Sequence, residues 1–322
     1  MLFPTRRSEP PAMTLEGVLG PNTRLDDAEG MKVDAPNALC ALDGGGLLFS
    51  AGNSVLAIDA WGATPTRWAD FDRPVTTLFA GPDGLVGVGL AGGGVSVRDA
   101  KGTASKGWTT PAGPQNVADG VFLPGGEIAV VDTGYGPGDD IFSLAPWDDT
   151  ARGSVAAVGS DGTVRPLATG LHCPTGIALD PSGDPLVSLF ERARVVDLAG
   201  RPKQSAYPAY PGRIRKTETG YLVACLARRD PLIEFLKTEK DFVAEMKAAI
   251  EPRHWISPRV NPEFSHDFPI EAGATRLFGA IKPWAPSFSY GLVIETDDKL
   301  VPTGSAHSRA NGQRHAISDA IS

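Results

Sequence analysis

Residues 39–59 read LCALDGGGLLFSAGNSVLAID. Apolar runs rich in Leu, Ala and Val are interrupted by a Gly-rich turn and then by Gly-Asn, so the stretch reads strand, turn, strand, turn, strand. Residues 77–99, TLFAGPDGLVGVGLAGGGVSVRD, repeat that order of elements. Similar units follow at 117–132 (VADGVFLPGGEIAVVD), 154–167 (SVAAVGSDGTVRPL), 176–198 (GIALDPSGDPLVSLFERARVVDL) and 214–226 (IRKTETGYLVACL). The glycines Gly45, Gly84, Gly126, Gly183 and Gly220 mark a period, with spacings of 39, 42, 57 and 37 residues. A period near 40 with several short strands per unit predicts the blades of a β-propeller. Long helices do not alternate with the strands, which argues against a doubly wound α/β fold.

The 57-residue spacing holds an insertion at 134–149, rich in Gly, Pro and Asp. A second departure begins near residue 229. Asp230 and Pro231 open a helix carrying Leu232, Phe235 and Leu236. A further helical stretch places Phe242, Val243, Met246, Ala249 and Ile250 on one face before Pro252. Residues 229–288 therefore form a helical and Pro-rich insertion expected to cover one end of the propeller. Residues 1–12 read as a flexible tail and 13–322 as a single domain.

The 322 residues carry a formal net charge of −8 and are 42% hydrophobic, and about a fifth are Gly or Pro. An acidic surface disfavours nucleic acid and anionic membranes as partners. No apolar run approaches the length of a membrane span, and prolines interrupt the segment where a secretory signal would lie. Cys40, Cys173 and Cys225 are widely spaced and form no metal-ligand pattern. These features predict a cytoplasmic protein with reduced thiols.

Several segments resemble the strictosidine-synthase-like six-bladed propellers, related to the SMP-30/gluconolactonase and paraoxonase group. They are YPAYPGRIR at 207–215 with GYLVA at 220–224, RDPLIEFL at 229–236, GLHCPTGIALD at 170–180 and YGLVIE at 290–295. The resemblance implies six blades around a central channel, with the last blade left incomplete. In metal-dependent members it implies a channel calcium held by Glu, Asn and Asp oxygens. Those ligand positions fall here on Asn37, on Ala118 beside Asp119, on Thr175, and on Gly212 and Arg213. A methyl group and a guanidinium in place of oxygens disfavour calcium, so neither a metal nor another cofactor is expected. The catalytic glutamate of the plant synthases falls in 312–321, where the chain has none; Asp319 and His315 lie there at spacings that do not match.

Arg213 is the leading candidate, placed at the channel mouth either to bind a carboxylate or phosphate or to pair with Asp119 or Asp132 in place of the metal. Asn37, Asp119, Asp132, Thr175 and Arg213 make up the expected ligand-binding set. Adjacent His172 and Cys173 point to opposite faces of a strand and read as packing residues. Glu191, Arg192 and Arg194 read as a solvated edge. The function implied is binding of, or action on, a small organic molecule, anionic if Arg213 contacts it. The alternatives are a calcium-dependent lactonase or esterase and a non-enzymatic, partner-binding propeller. The incomplete last blade leaves an edge for self-association, with Leu15–Leu19 as a strand that would close it.

Overall fold

Each apolar run of the repeat forms a strand, and each Gly-bearing turn folds it back on the next. The computed structural model describes residues 12–42, 45–109, 113–114, 116–229, 231–258, 276–277, 280–281, 291–308 and 317–321. The tail, the Asp230 cap and His315 lie outside these residues, as does most of 259–288.

Blade one is β1 (Leu39–Ala41), β2 (Leu47–Ala51), β3 (Ser54–Ile58) and β4 (Thr66–Asp70), antiparallel and in sequence order. Blade two is β5 (Val75–Ala80), β6 (Val86–Leu90) and β7 (Gly94–Arg98), with a bridge from Arg98 to Ala104 along its outer margin. Blade three is β8 (Val117–Phe122), β9 (Ile128–Asp132), β10 (Gly153–Val158) and β11 (Val164–Leu171). Blade four is β12 (Pro174–Leu179), β13 (Pro185–Leu189), β14 (Arg194–Asp197) and β15 (Pro202–Gln204). Blade five starts with β16 (Ala209–Lys216) and β17 (Gly220–Arg228). It resumes after the long insertion, which holds a short hairpin of β18 (Arg276–Leu277) and β19 (Ala280–Ile281), with β20 (Gly291–Asp297) and β21 (Pro302–Ser308).

Apolar side chains on both faces of these strands stack the blades against one another. Leu48, Val55, Leu78 and Val88 pack blade one on blade two, and Phe79, Val97, Phe122 and Val130 pack blade two on blade three. Val131, Ile177 and Val187 continue the stack into blade four, and Phe190, Tyr210, Ile214 and Ile294 into blade five. The marker glycines Gly45, Gly84, Gly126 and Gly183 all adopt positive φ, as the hairpin turns demand. Gly220 does not: it starts β17, where a Cβ would lie 1.9 Å from the Thr296 carbonyl oxygen.

The described residues build five blades rather than six. Residues 317–321 stand between the last blade and the first: the Ile317 N–H donates to the Cys225 carbonyl of β17, and the Leu39 N–H of β1 donates to the Asp319 carboxylate. Leu15–Leu19 does not add a closing strand. Gly17–Leu19 forms a 3-10 turn against β21, held by a hydrogen bond from Ser305 Oγ to the Val18 carbonyl. The Leu25 N–H and the Asn22 side chain then bond the carbonyls of His307 and Ser305, covering that outer margin.

The two insertions pack on each other. The first contains α1 (Ile141–Leu144), and the second contains α2 (Pro231–Leu236) and α3 (Lys240–Ala249). Trp147 of the first is 2% exposed and packs with Ile233 and Met246 of the second. Its indole N–H donates to the Ile256 carbonyl at 2.7 Å, and Lys247 Nζ donates to the Trp147 carbonyl. None of the helices among the described residues is long and apolar enough to cross a membrane.

Candidate functional site

The five inner strands β1, β5, β8, β12 and β16 surround the channel. In four of them the pairing slips at the corresponding place: between Val75 and Thr77, Val117 and Asp119, Pro174 and Gly176, and Pro211 and Ile214. An extra residue in one strand of an antiparallel pair bends it and re-aims its backbone. The extra residues are Thr76, Ala118, Thr175 and the pair Gly212–Arg213, and all of them line one mouth of the channel. That mouth is a cavity of about 330 Å³, to which Asn37, Asn116 and Ser318 also contribute, with a wall of Gly136, Pro137, Asp139 and Ile141 from the first insertion.

Arg213 and Arg215 are two apart on β16, so alternation turns both toward the channel. Arg213 Nη1 donates to the carbonyls of Asn37 at 2.6 Å and Ser318 at 2.9 Å. Its Nη2 donates to the Thr76 carbonyl and, at 3.4 Å, to that of Ala118. The guanidinium thus sits among main-chain oxygens from two inner strands, β5 and β8, from Asn37 just ahead of β1 and from the 317–321 segment. Arg215 bonds Asp119 through both Nη atoms at 2.8 and 3.0 Å, and Asp319 at 3.0 Å. Arg213 approaches the same two carboxylates at 3.8 and 3.7 Å.

All four side chains are at least 86% buried, and their formal charges cancel. Burial pulls the Arg213 pKa down against the attraction of Asp319 and Asp119. Burial acts on Arg215 in the same sense, but the two carboxylates more than offset it and hold it above its ordinary value. The Asp319 carboxyl is pushed up by burial, which its two arginines oppose without cancelling.

Asp119 has no oxygen left for another partner: Thr77 Oγ1 and the Ile177 N–H donate to it at 2.8 and 3.0 Å, in addition to Arg215. Thr175 Oγ1 donates to the Pro211 carbonyl, and the Asn37 amide donates to those of Val75 and Thr76. The backbone is as close-set as the side chains, since a Cβ on Gly176 would lie 2.4 Å from the Gly212 oxygen. These residues do not fit a calcium ion. The ion needs several free oxygens, whereas the carboxylates here are committed to arginines and the inward carbonyls to a guanidinium.

Asn37, Asp119, Thr175 and Arg213 come together at the channel, whereas Asp132 makes no side-chain hydrogen bond or ion pair with them among the described residues. Asp132 ends β9 and accepts the Gly134 N–H at 2.8 Å, with burial raising its pKa. Arg215 and Asp319 were not among the expected site residues. Arg215 was readable from the two-residue alternation after Arg213, while Asp319 was marked only through the resemblance, at a spacing that does not match. Below the charged layer, Leu39, Leu78, Ile177, Ile214, Arg215 and Ile321 help line a second, largely apolar mouth of about 300 Å³.

Glu191 is not on a solvated edge. It is 3% exposed, takes Arg192 Nε on one oxygen at 3.0 Å and has no hydrogen bond on the other among the described residues, and burial raises its pKa. His172 lies 3.5 Å from it. Cys173 is buried, and its thiol is pushed well above its ordinary value by that burial, so a nucleophilic thiolate is disfavoured at neutral pH. The three cysteines are buried, and none forms a disulfide. In the first insertion Asp140 caps α1 through the Phe142 N–H, and Asp148 accepts from Tyr135 and Arg152.

No protein-family model and no curated protein matches the sequence. Among solved structures the chain is similar to a PQQ-bound aldose sugar dehydrogenase from Streptomyces coelicolor, at 15% identity over 61% of this chain and 75% of that one, with a TM-score of 0.44. It is similar to a putative gluconolactonase at 15% identity, 60% and 73% coverage and a TM-score of 0.44. A calcium-binding regucalcin from Agrobacterium tumefaciens gives 15%, 61% and 69%, and 0.44. Likenesses of this size select no activity, and the propeller description rests on the chain's own strand order.

Proposed function

We propose that this protein is a propeller that binds a small organic molecule at the mouth lined by Asn37, Thr76, Asn116, Thr133, Thr175 and Arg213, without calcium. The observation that carries this reading is the Arg213 guanidinium set among the carbonyls of Asn37 and Ser318 and of the bulge residues Thr76 and Ala118. A fixed cation there supplies the positive charge that a bound ion would otherwise bring. What remains open to a ligand is a cavity of about 330 Å³ walled by amides, hydroxyls and the first insertion. That volume is at the small end of ligand pockets and suits a compact molecule. The strictosidine-synthase-like resemblance supports the use of the channel, while the absence of Glu from 312–321 favours binding over that family's condensation chemistry.

The test is a melting titration with calcium, EDTA and a panel of small acids and lactones, since a ligand that binds the native state raises the midpoint by mass action. The expected result is a shift with one or more small organic molecules, lost in Asn37→Ala, and none with calcium or EDTA. A calcium-dependent shift accompanied by EDTA-sensitive ester or lactone hydrolysis would replace this reading with the hydrolase alternative.

A further inference from the structure

The two channel arginines are matched by carboxylates of different origin. Asp119 belongs to β8 and is fixed by Thr77 and Ile177, so it is part of the blade framework. Asp319 belongs to no blade. It arrives on residues 317–321, which are tied to the blades by Ile317 to Cys225 and by the Ser318 carbonyl to Arg213. Without Asp319 the inner strands would hold two guanidiniums and one carboxylate, leaving the buried layer one negative charge short. Three groups from two inner strands, β16 and β1, converge on one Asp319 oxygen: Arg215 Nη2 at 3.0 Å, the Leu39 N–H at 3.2 Å and Arg213 Nη1 at 3.7 Å.

We propose that Arg213 and Arg215, with the Leu39 N–H, form a carboxylate-binding site in the channel, and that Asp319 occupies it as an internal ligand. The inference does not depend on what the outer mouth binds. The site accepts a planar oxyanion through the Arg215 guanidinium and the Leu39 N–H as donors, with the charge of Arg213 beside them, an arrangement suited to a carboxylate. It adjoins both mouths, since Arg213 and Ser318 line one and Arg215 and Ile321 the other. A small free acid can reach it from either side once the Asp319 side chain is removed. The chemical class is the smallest monocarboxylates, formate first, because Asp319→Ala keeps Cβ and frees the space of a single carboxylate group.

The experiment is chemical rescue in the full chain. Wild type, Asp319→Ala and Asp319→Asn are melted at neutral pH in about 0.1 M formate or acetate and in chloride of equal ionic strength, where occupancy of the site raises the midpoint. Asp319→Ala is expected to melt lower than wild type in chloride and to regain half or more of that loss in formate, with saturation. Wild type and Asp319→Asn, whose sites are filled, are expected to respond alike to both salts. An alanine variant equally low in formate and chloride overturns the proposal, as does a wild type that gains as much as the variant. If Asp319→Ala does not fold in chloride, its refolding yield in formate is the readout, and equal failure in both salts overturns the proposal. Failure of the alanine variant to respond leaves the small-molecule reading of the outer mouth untouched, since the organic panel on wild type decides that reading.

Discussion

Asp119→Ala removes the one carboxylate that the blades themselves supply to the channel. The variant leaves Arg213 and Arg215 facing Asp319 alone, with one buried positive charge uncompensated. Removing one partner of a buried ion pair costs about 3–5 kcal/mol. Thr77 Oγ1 and the Ile177 N–H, both bonded to Asp119, lose their acceptor as well. Each unsatisfied group adds about 1 kcal/mol or more. The total of about 5–7 kcal/mol is comparable to the whole stability of many domains, roughly 5–15 kcal/mol. Urea unfolding followed by tryptophan fluorescence should show a collapse of the midpoint or a chain that does not fold. The double variant Asp119→Leu with Arg215→Leu restores neutrality and is expected to be more stable than Asp119→Ala. A single variant that loses less than about 2 kcal/mol, or a double variant worse than the single, would refute the ion-layer argument.

Glu191 gives a pH test with a definite sign. Burial raises its carboxyl above the ordinary 4.5, against the pull of Arg192 and Lys237, so the native state holds the proton to higher pH than the unfolded chain does. The native state then binds more protons across that window, and stability falls as pH rises through it. Glu191→Gln is expected to melt above wild type at neutral pH, with the difference shrinking as pH falls toward 4.5; a difference that grows instead contradicts the assignment. Gly176→Ala places a methyl 2.4 Å from the Gly212 oxygen, between the inner strands of blades four and five. Overpacking of this kind costs about 1–3 kcal/mol, and an unchanged melting temperature would mean that the two strands can part freely.

The turns and the alternation of apolar residues made the blades legible, because hairpin chemistry and stacking faces are both local patterns. Gly45, Gly84, Gly126 and Gly183 meet the expectation of positive φ, whereas Gly220 held the same place in the period for a different reason, a close backbone approach. The grouping of Asn37, Asp119, Thr175 and Arg213 came through the family resemblance, whose channel-ligand positions fall on or beside these residues, rather than from any local pattern. Asp132 was not brought in, because its β9 position is second in the blade and not innermost. The position of Asp319 depends on how a segment outside the repeat docks, which no periodicity encodes. Glu191 was misjudged because a charged pair in sequence reads as exposed, and only tertiary packing put it under the cover. The fifth blade takes in 62 residues between β17 and β20, a length that local signals mark as helical without saying what it packs against.

The contact between Leu39 and Asp319 spans 280 residues. Each blade is assembled from neighbouring hairpins, so a chain growing from its N-terminus can fold blades one to four as local events. The ring itself cannot shut until residue 319 has been made. Closing a loop of that length costs only about 2 kcal/mol more than closing one of blade length, because the entropy grows with the logarithm of the span. The cost in time is larger than the cost in energy. During synthesis Arg213 and Arg215 are in place with a single counter-ion, and the flanks of the first and last blades wait uncovered. That waiting interval is when such a chain is most exposed to association with its neighbours and most in need of a chaperone.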